Sequence, residues 1–146
     1  LDLAFAEARV GADTLALVLR DAGYGLEVQL LYRVHDDTDV LERRLVVRNL
    51  SDDPVELLRV DSGNWLVPDQ DEYRLSTATG YWGAETQLER RILQLGEHTL
   101  TSRQGVSGHG ANPWMMIDDA RAQEEHGRVY SVALGWSGSW RMTAQR

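Results

Sequence analysis

The stretch Leu26-Glu-Val-Gln-Leu-Leu-Tyr-Arg-Val34 decides the fold class. In an extended chain successive side chains point to opposite sides, so Leu26, Val28, Leu30, Tyr32 and Val34 share one face, while Glu27, Gln29 and Arg33 point the other way. The pattern predicts a β-strand with one face in a core and one in water. Six further runs read the same way: Thr14 to Arg20, Val40 to Asn49, Val55 to Ser62, Arg91 to Leu95, Trp114 to Ile117 and Arg128 to Trp136. Between them lie turn formers, at Asp21-Ala-Gly23, His35-Asp-Asp-Thr-Asp39, Asn49-Leu-Ser-Asp-Asp-Pro54 and Glu124-Glu-His-Gly127.

No segment carries a sustained helical stripe; Ala4 to Val10 and Asp118 to Glu125 are expected to form short turns at most. Many short strands with one wet face predict an all-β antiparallel sandwich. In 146 residues there is no internal repeat, low-complexity tract or linker, so residues 1–146 are expected to form one domain.

The formal net charge of −8 argues against a phosphate-backbone partner, and no nucleic-acid role is expected. Every cation is Arg and none is Lys, which reads as coding bias rather than as a binding signature. With no cysteine there is no disulfide framework, thiolate nucleophile or zinc–cysteine site, a composition that suits a reducing compartment. No apolar run approaches the roughly 20 residues of a membrane helix, and no membrane association is expected. The sequence starts at Leu1 and stops just after a strand-like run, and is expected to be an excerpt of a longer protein.

Chemistry-bearing motifs are few. His35, His98, His109 and His126 are too dispersed for a metal site, and neither a metal nor any other cofactor is expected. Most paired carboxylates fall in turns, where Asp serves its own backbone. Gly80-Tyr-Trp-Gly-Ala-Glu85 differs, because Trp82 could stack on a sugar while Glu85 accepts hydroxyl hydrogen bonds. The alternative puts Trp82 in the core and pairs Glu85 with Arg90 or Arg91. Of the five tryptophans, Trp136 continues the face of Tyr130, Val132 and Leu134 and is expected in the core, while Trp140 is expected at an edge or interface.

The segment Ser102-Arg-Gln-Gly-Val-Ser-Gly-His-Gly-Ala-Asn-Pro-Trp114 has the composition of a shaped loop. Arg103 could fork onto a carboxylate and His109 could donate to a hydroxyl or carbonyl; equally, both could tie the loop to its own sheet.

Read in order, Gly25-Leu-Glu-Val28 to Tyr32, Arg43 to Asn49, Gly80 to Glu85, Arg103 through His109 to Asn112-Pro113, Gly127-Arg-Val-Tyr130 and Trp136-Ser-Gly-Ser-Trp140 resemble the N-terminal domain of glycoside hydrolase family 36 α-galactosidases. The resemblance runs from about Asp13 to Trp140. Three features depart from it: an extra Gln104, Gly108 in place of a serine, and a closing motif with Trp at both ends. It implies a β-supersandwich, incomplete at both ends, standing before a (β/α)₈ barrel that carries both catalytic aspartates, so no catalytic residue is expected in this chain. Retaining hydrolysis needs two carboxyl groups about 5–5.5 Å apart, and Asp61, Asp69 and Asp71 are read as structural instead.

The resemblance further implies an α-galactosidase acting on terminal α-galactosides such as melibiose and raffinose, with this domain partnering its own barrel, a galacto-oligosaccharide bound by the whole enzyme, a homo-oligomeric assembly and the bacterial cytoplasm. The expected rim or interface residues are Trp82, Glu85, Arg103, His109, Asn112 and Trp114. The alternatives are a free-standing carbohydrate-binding sandwich that uses Trp82 and Trp114, and a pure oligomerisation domain.

Overall fold

The computed structural model describes all 146 residues, Leu1–Arg146. It contains ten β-strands and no helix, and every strand pairing is antiparallel, as the alternation predicts. The chain forms two compact units, Leu1–Leu66 and Val67–Arg146.

The first unit is a four-stranded meander of β1 (Ala4–Val10), β2 (Thr14–Asp21), β3 (Leu26–His35) and β4 (Val40–Asn49), paired in that order. Side chains that face each other across a ladder share a side of the sheet. Leu15, Tyr32 and Arg43 therefore stand in one row, Leu17, Leu30 and Leu45 in the next, and Leu19, Val28 and Val47 in a third. Short local bonds fix the connections. Gly11 N–H donates to Thr14 O at 2.8 Å, and the Asp21 carboxylate accepts Tyr24 N–H at 2.9 Å and Asp2 N–H at 2.6 Å.

Ala4–Val10 is a strand, not a short turn: its residues pair with β2 from Ala4↔Arg20 to Val10↔Leu15 around one bulge. Val55 to Ser62 has strand-like alternation but joins no ladder, since alternation supplies a face and not a partner. The polar side of β3 is not uniformly wet either. Glu27 and Gln29 are buried, because Glu27 accepts from Arg20 at 3.0 Å and from Gln29 at 2.7 Å and lies 3.5 Å from Arg48. That cluster of opposite charges satisfies its own carboxylate.

The second unit has a four-stranded sheet in the order β6 (Ala84–Ile92), β5 (Arg74–Tyr81), β8 (Trp114–Asp118), β9 (Val129–Ala133), and a two-stranded sheet of β7 (Glu97–Ser102) and β10 (Trp140–Gln145). Its core draws Leu75 and Met115 from the first sheet and Leu100, Trp140 and Ala144 from the second, with Leu93 and Ala111 between. The two sheets are thus the layers of a sandwich.

Arg91 to Leu95 is not a strand of its own. Arg91 and Ile92 end β6, and Leu93 turns into the core. The two tryptophans exchange their expected places. Trp140 is only 6% exposed, since it opens β10 on the inner side and its indole Nε1 donates to Ser107 Oγ at 2.9 Å, whereas Trp136 is 61% exposed because β9 has already ended at Ala133.

Candidate functional site

The site begins with the β5–β6 hairpin. Tyr81 pairs with Ala84, leaving Trp82 and Gly83 as the turn, and the ladder shifts register between Thr79 and Tyr81. Gly83 sits at φ 81°, in the region that costs any other residue most. At Gly80 a Cβ would stand 2.5 Å from Ala84 O, so only glycine lets the bulged strands close. The turn therefore projects its aromatics outward: Trp82 is 84% exposed, and Tyr81 is also exposed. Trp82 is not a core residue.

Glu85 pairs with neither Arg90 nor Arg91. Its Oε1 accepts Gly83 N–H at 2.9 Å, bracing the turn, while Arg91 pairs with Glu89. The Gly83 hydrogen bond, its own backbone N–H and the nearby His109 hold the Glu85 carboxyl below its ordinary value. A carboxyl so disposed is an ionised acceptor and not a proton donor.

The glycine-rich loop lies beside this hairpin. His109 Nδ1 is 4.0 Å from Glu85 Oε1, which unites two segments singled out in the sequence. Asn112 N–H donates to Ala78 O at 3.0 Å and fixes the loop's exit on β5; Trp114, half-buried, then starts β8. Ser102 Oγ donates to Val106 O at 2.7 Å, and Gly105 N–H donates to Ser139 Oγ at 3.2 Å. The loop is thus held at its base and along one side.

Arg103 is exposed and lines a cavity of about 370 Å³ with Thr101, Ser102, Gln104 and Gly108. Gln104 and Gly108, the two departures from the family pattern, are neighbours there, since a Cβ on Gly108 would stand 3.4 Å from Gln104 Oε1. The basic group that pairs with Glu85 is His109 and not Arg103. Sequence reasoning missed Tyr81, although it lies within the quoted motif, and Ser107, whose hydroxyl receives the Trp140 indole. Asp69 has the structural role expected of it, with Oδ1 accepting Gln70 N–H at 3.0 Å and lying 3.3 Å from the Tyr73 hydroxyl.

Comparisons with known proteins agree with one another. The model of the glycosyl hydrolase family 36 N-terminal domain matches residues 1–146. The α-galactosidase AgaA of Geobacillus stearothermophilus is 34% identical over 140 residues, which is 96% of this chain and 19% of that protein. The α-galactosidase Mel36A of Lactobacillus acidophilus is 31% identical over 92% of this chain and 18% of its own length. A crystal structure of AgaA in complex with raffinose superimposes on 99% of this chain and 23% of that one, with a TM-score of 0.89 and 29% identity. The α-galactosidase of Lactobacillus brevis gives a TM-score of 0.84 and 26% identity over 99% of this chain and 21% of that one. The chain therefore spans about a fifth of the length of the relatives it matches.

Proposed function

Because this chain belongs to the glycosyl hydrolase family 36 N-terminal domains, we propose that it is the non-catalytic portion of an α-galactosidase and that the whole protein hydrolyses terminal α-galactosides. The observation that carries this reading is the family match over residues 1–146 together with a span of 19% of the α-galactosidase AgaA. The chemistry of Glu85 supports it. Retaining hydrolysis needs a carboxyl of raised pKa to protonate the leaving oxygen, and Glu85 is shifted the other way. The family resemblance implies that the proton donor and nucleophile lie on a (β/α)₈ barrel elsewhere in the parent. In this reading residues 1–146 act as one domain, part of a supersandwich that partners that barrel.

Raffinose and melibiose are the substrates we propose for the parent, supported by the raffinose complex of AgaA. Trp82, Glu85, Arg103, His109, Asn112 and Trp114 form a docking or rim region towards the barrel or a neighbouring subunit of a homo-oligomer. A bacterial cytoplasmic setting fits both the bacterial relatives and a chain free of cysteine.

Release of nitrophenol from an aryl α-galactoside by the parent protein tests the reading. The parent is expected to turn over and to keep its kcat when Glu85 is changed to Gln. A parent that is inactive on α-galactosides, or one whose kcat falls a thousandfold in Glu85→Gln, would overturn it.

One observation favours a second reading, that the domain itself touches sugar: an exposed indole at a rigid turn is a stacking platform. Trp114 is half-buried and does not extend it. Calorimetry with raffinose separates the two readings, because a sugar contact would be lost in Trp82→Ala.

A further inference from the structure

The cavity at the glycine-rich loop gathers hydrogen-bond donors and has no carboxylate in its lining. The Arg103 guanidinium and the Gln104 amide have no partner in the chain, and the backbone N–H groups of Gly108 and Gly110, which also line it, donate to nothing. A second exposed and unpaired guanidinium stands close by. Arg141 is the cross-strand partner of the lining residue Thr101 and shares its side of the β7–β10 ladder.

Such a lining runs against the character of the chain. Acidic residues outnumber basic ones 23 to 15, and exposed arginines elsewhere sit beside one, as Arg9 does with Glu7, Arg33 with Asp13 and Arg91 with Glu89. A second cavity, of about 470 Å³, shows the compensated arrangement, because Arg121 shares it with Asp69, Asp71, Glu72 and Asp119. At Arg103 the compensating charge is missing. A guanidinium fork, an amide and free backbone N–H groups around one space match an oxyanion.

Size and rigidity point the same way. The cavity of about 370 Å³ falls within the range of small-molecule sites, roughly 300–1,000 Å³, and leaves room for more than a single carboxylate group. Its loop is fixed by bonds from Ser102 Oγ to Val106 O, from Gly105 N–H to Ser139 Oγ and from the Trp140 indole to Ser107 Oγ. Binding would therefore need little further ordering of the loop.

We infer that the Arg103 cavity is a binding site for a small soluble oxyanion, a phosphate or carboxylate group carried by a compact polar molecule. Arg103 supplies the fork, the Gln104 amide and the Gly108 and Gly110 N–H groups supply further donors, and Arg141 adds positive charge at the side. The inference does not depend on the activity of the parent, which aryl galactoside turnover reads separately.

The test uses the whole parent protein, with inorganic phosphate as the probe and chloride at equal ionic strength as the reference. Phosphate is expected to raise Tm saturably, and calorimetry gives its Kd. Arg103→Ala should weaken binding at least about tenfold, Arg103→Lys less, since it keeps the charge and loses the fork, and Arg141→Ala about threefold. Gly108 lies outside the left-handed region, and a Cβ there would stand 3.4 Å from Gln104 Oε1, so Gly108→Leu should fill the space with every charge intact and weaken binding as much as Arg103→Ala. Arg128→Ala, which removes an exposed and unpaired guanidinium outside the cavity, should bind as the unmodified parent does.

A Tm that phosphate does not raise, or a rise that Arg103→Ala and Gly108→Leu leave unchanged, would overturn the inference. So would a parent that ignores phosphate but melts lower in Arg103→Ala without it, a result that would give the cavity to an acidic side chain of the parent itself.

Discussion

Arg74 and Asp118, directly opposite each other on β5 and β8, form an ion pair in which the carboxylate is buried and the guanidinium partly exposed, with Arg74 Nε donating to Asp118 Oδ2 at 3.1 Å. The same two residues also hold the turn that follows β8. Arg74 donates to Ala122 O at 2.8 Å, and Asp118 Oδ1 accepts the N–H of Ala120, a residue held at φ 61°. Removing one partner of a buried pair leaves the other charge uncompensated. Because Arg74 keeps contact with water, Asp118→Ala is expected to destabilise the protein by about 2 kcal/mol, read as a lower urea midpoint at unchanged m-value. Asp119→Ala, which loses only a local bond to Arg121 N–H, should cost less than about 1 kcal/mol.

The tryptophans give a paired prediction. Trp140 lies in the core with Leu100 and Met115, so Trp140→Ala should cost about 3–5 kcal/mol. Trp136→Ala should change stability by less than about 1 kcal/mol. Thermal melts of the two variants side by side check the assignment, and the reverse order would contradict it.

Ser76 is wholly buried on β5, and its hydroxyl has no hydrogen-bond partner. Burying a polar group without a partner costs stability, so Ser76→Ala is expected to stabilise the protein by about 1 kcal/mol, seen as a raised Tm. A lowered Tm would show that the hydroxyl is satisfied.

Acid should weaken the β1–β4 meander. Asp21 is held below its ordinary value of 3.8, chiefly by Tyr24 N–H and then by Asp2 N–H, and Glu27 below 4.5, chiefly by Gln29 and then by Arg20. A carboxyl whose folded pKa is depressed contributes stability above its unfolded pKa and loses it as pH falls through the folded value. Asp21→Asn should therefore be clearly less stable than the unmodified chain above about pH 4.5, with the gap closing as pH drops below 3.8. A gap constant from pH 7 to pH 2 would argue against it.

Much of the fold is legible in the sequence where hydropathy alternates. Val40–Asn49 is read to the residue, and β2, β3, β8 and β9 are placed to within a few positions. Two of the strands missed have burial that does not alternate. Arg74–Tyr81 is buried on both sides through its middle but fills those places with Ser76, Thr77 and Ala78, which carry no hydropathy contrast. Ala84–Ile92 is an edge strand with almost every residue exposed, so it has no apolar face to detect. β10 does alternate, Trp140, Met142 and Ala144 against Arg141, Thr143 and Gln145, but the serine–glycine run before it put Trp140 at an edge or interface in the sequence reading. At the candidate site the two motifs are visible as sequence, whereas their meeting is not, because the 4.0 Å approach of His109 to Glu85 depends on the docking of Asn112 onto Ala78.

The edge strand β6 sets a rule for assembly. It lies at the end of its sheet and carries Glu85, Glu89, Arg90 and Arg91; Glu89 pairs with Arg91, the ladder to β5 shifts register opposite it between Thr79 and Tyr81, and Thr86 turns to φ 56°. A twisted edge studded with charges of both signs refuses an incoming strand. Molecules of this protein will therefore not grow into fibres by stitching backbone to backbone along that side, and any partner meeting it must do so through side chains, by contacts that loosen as salt is added.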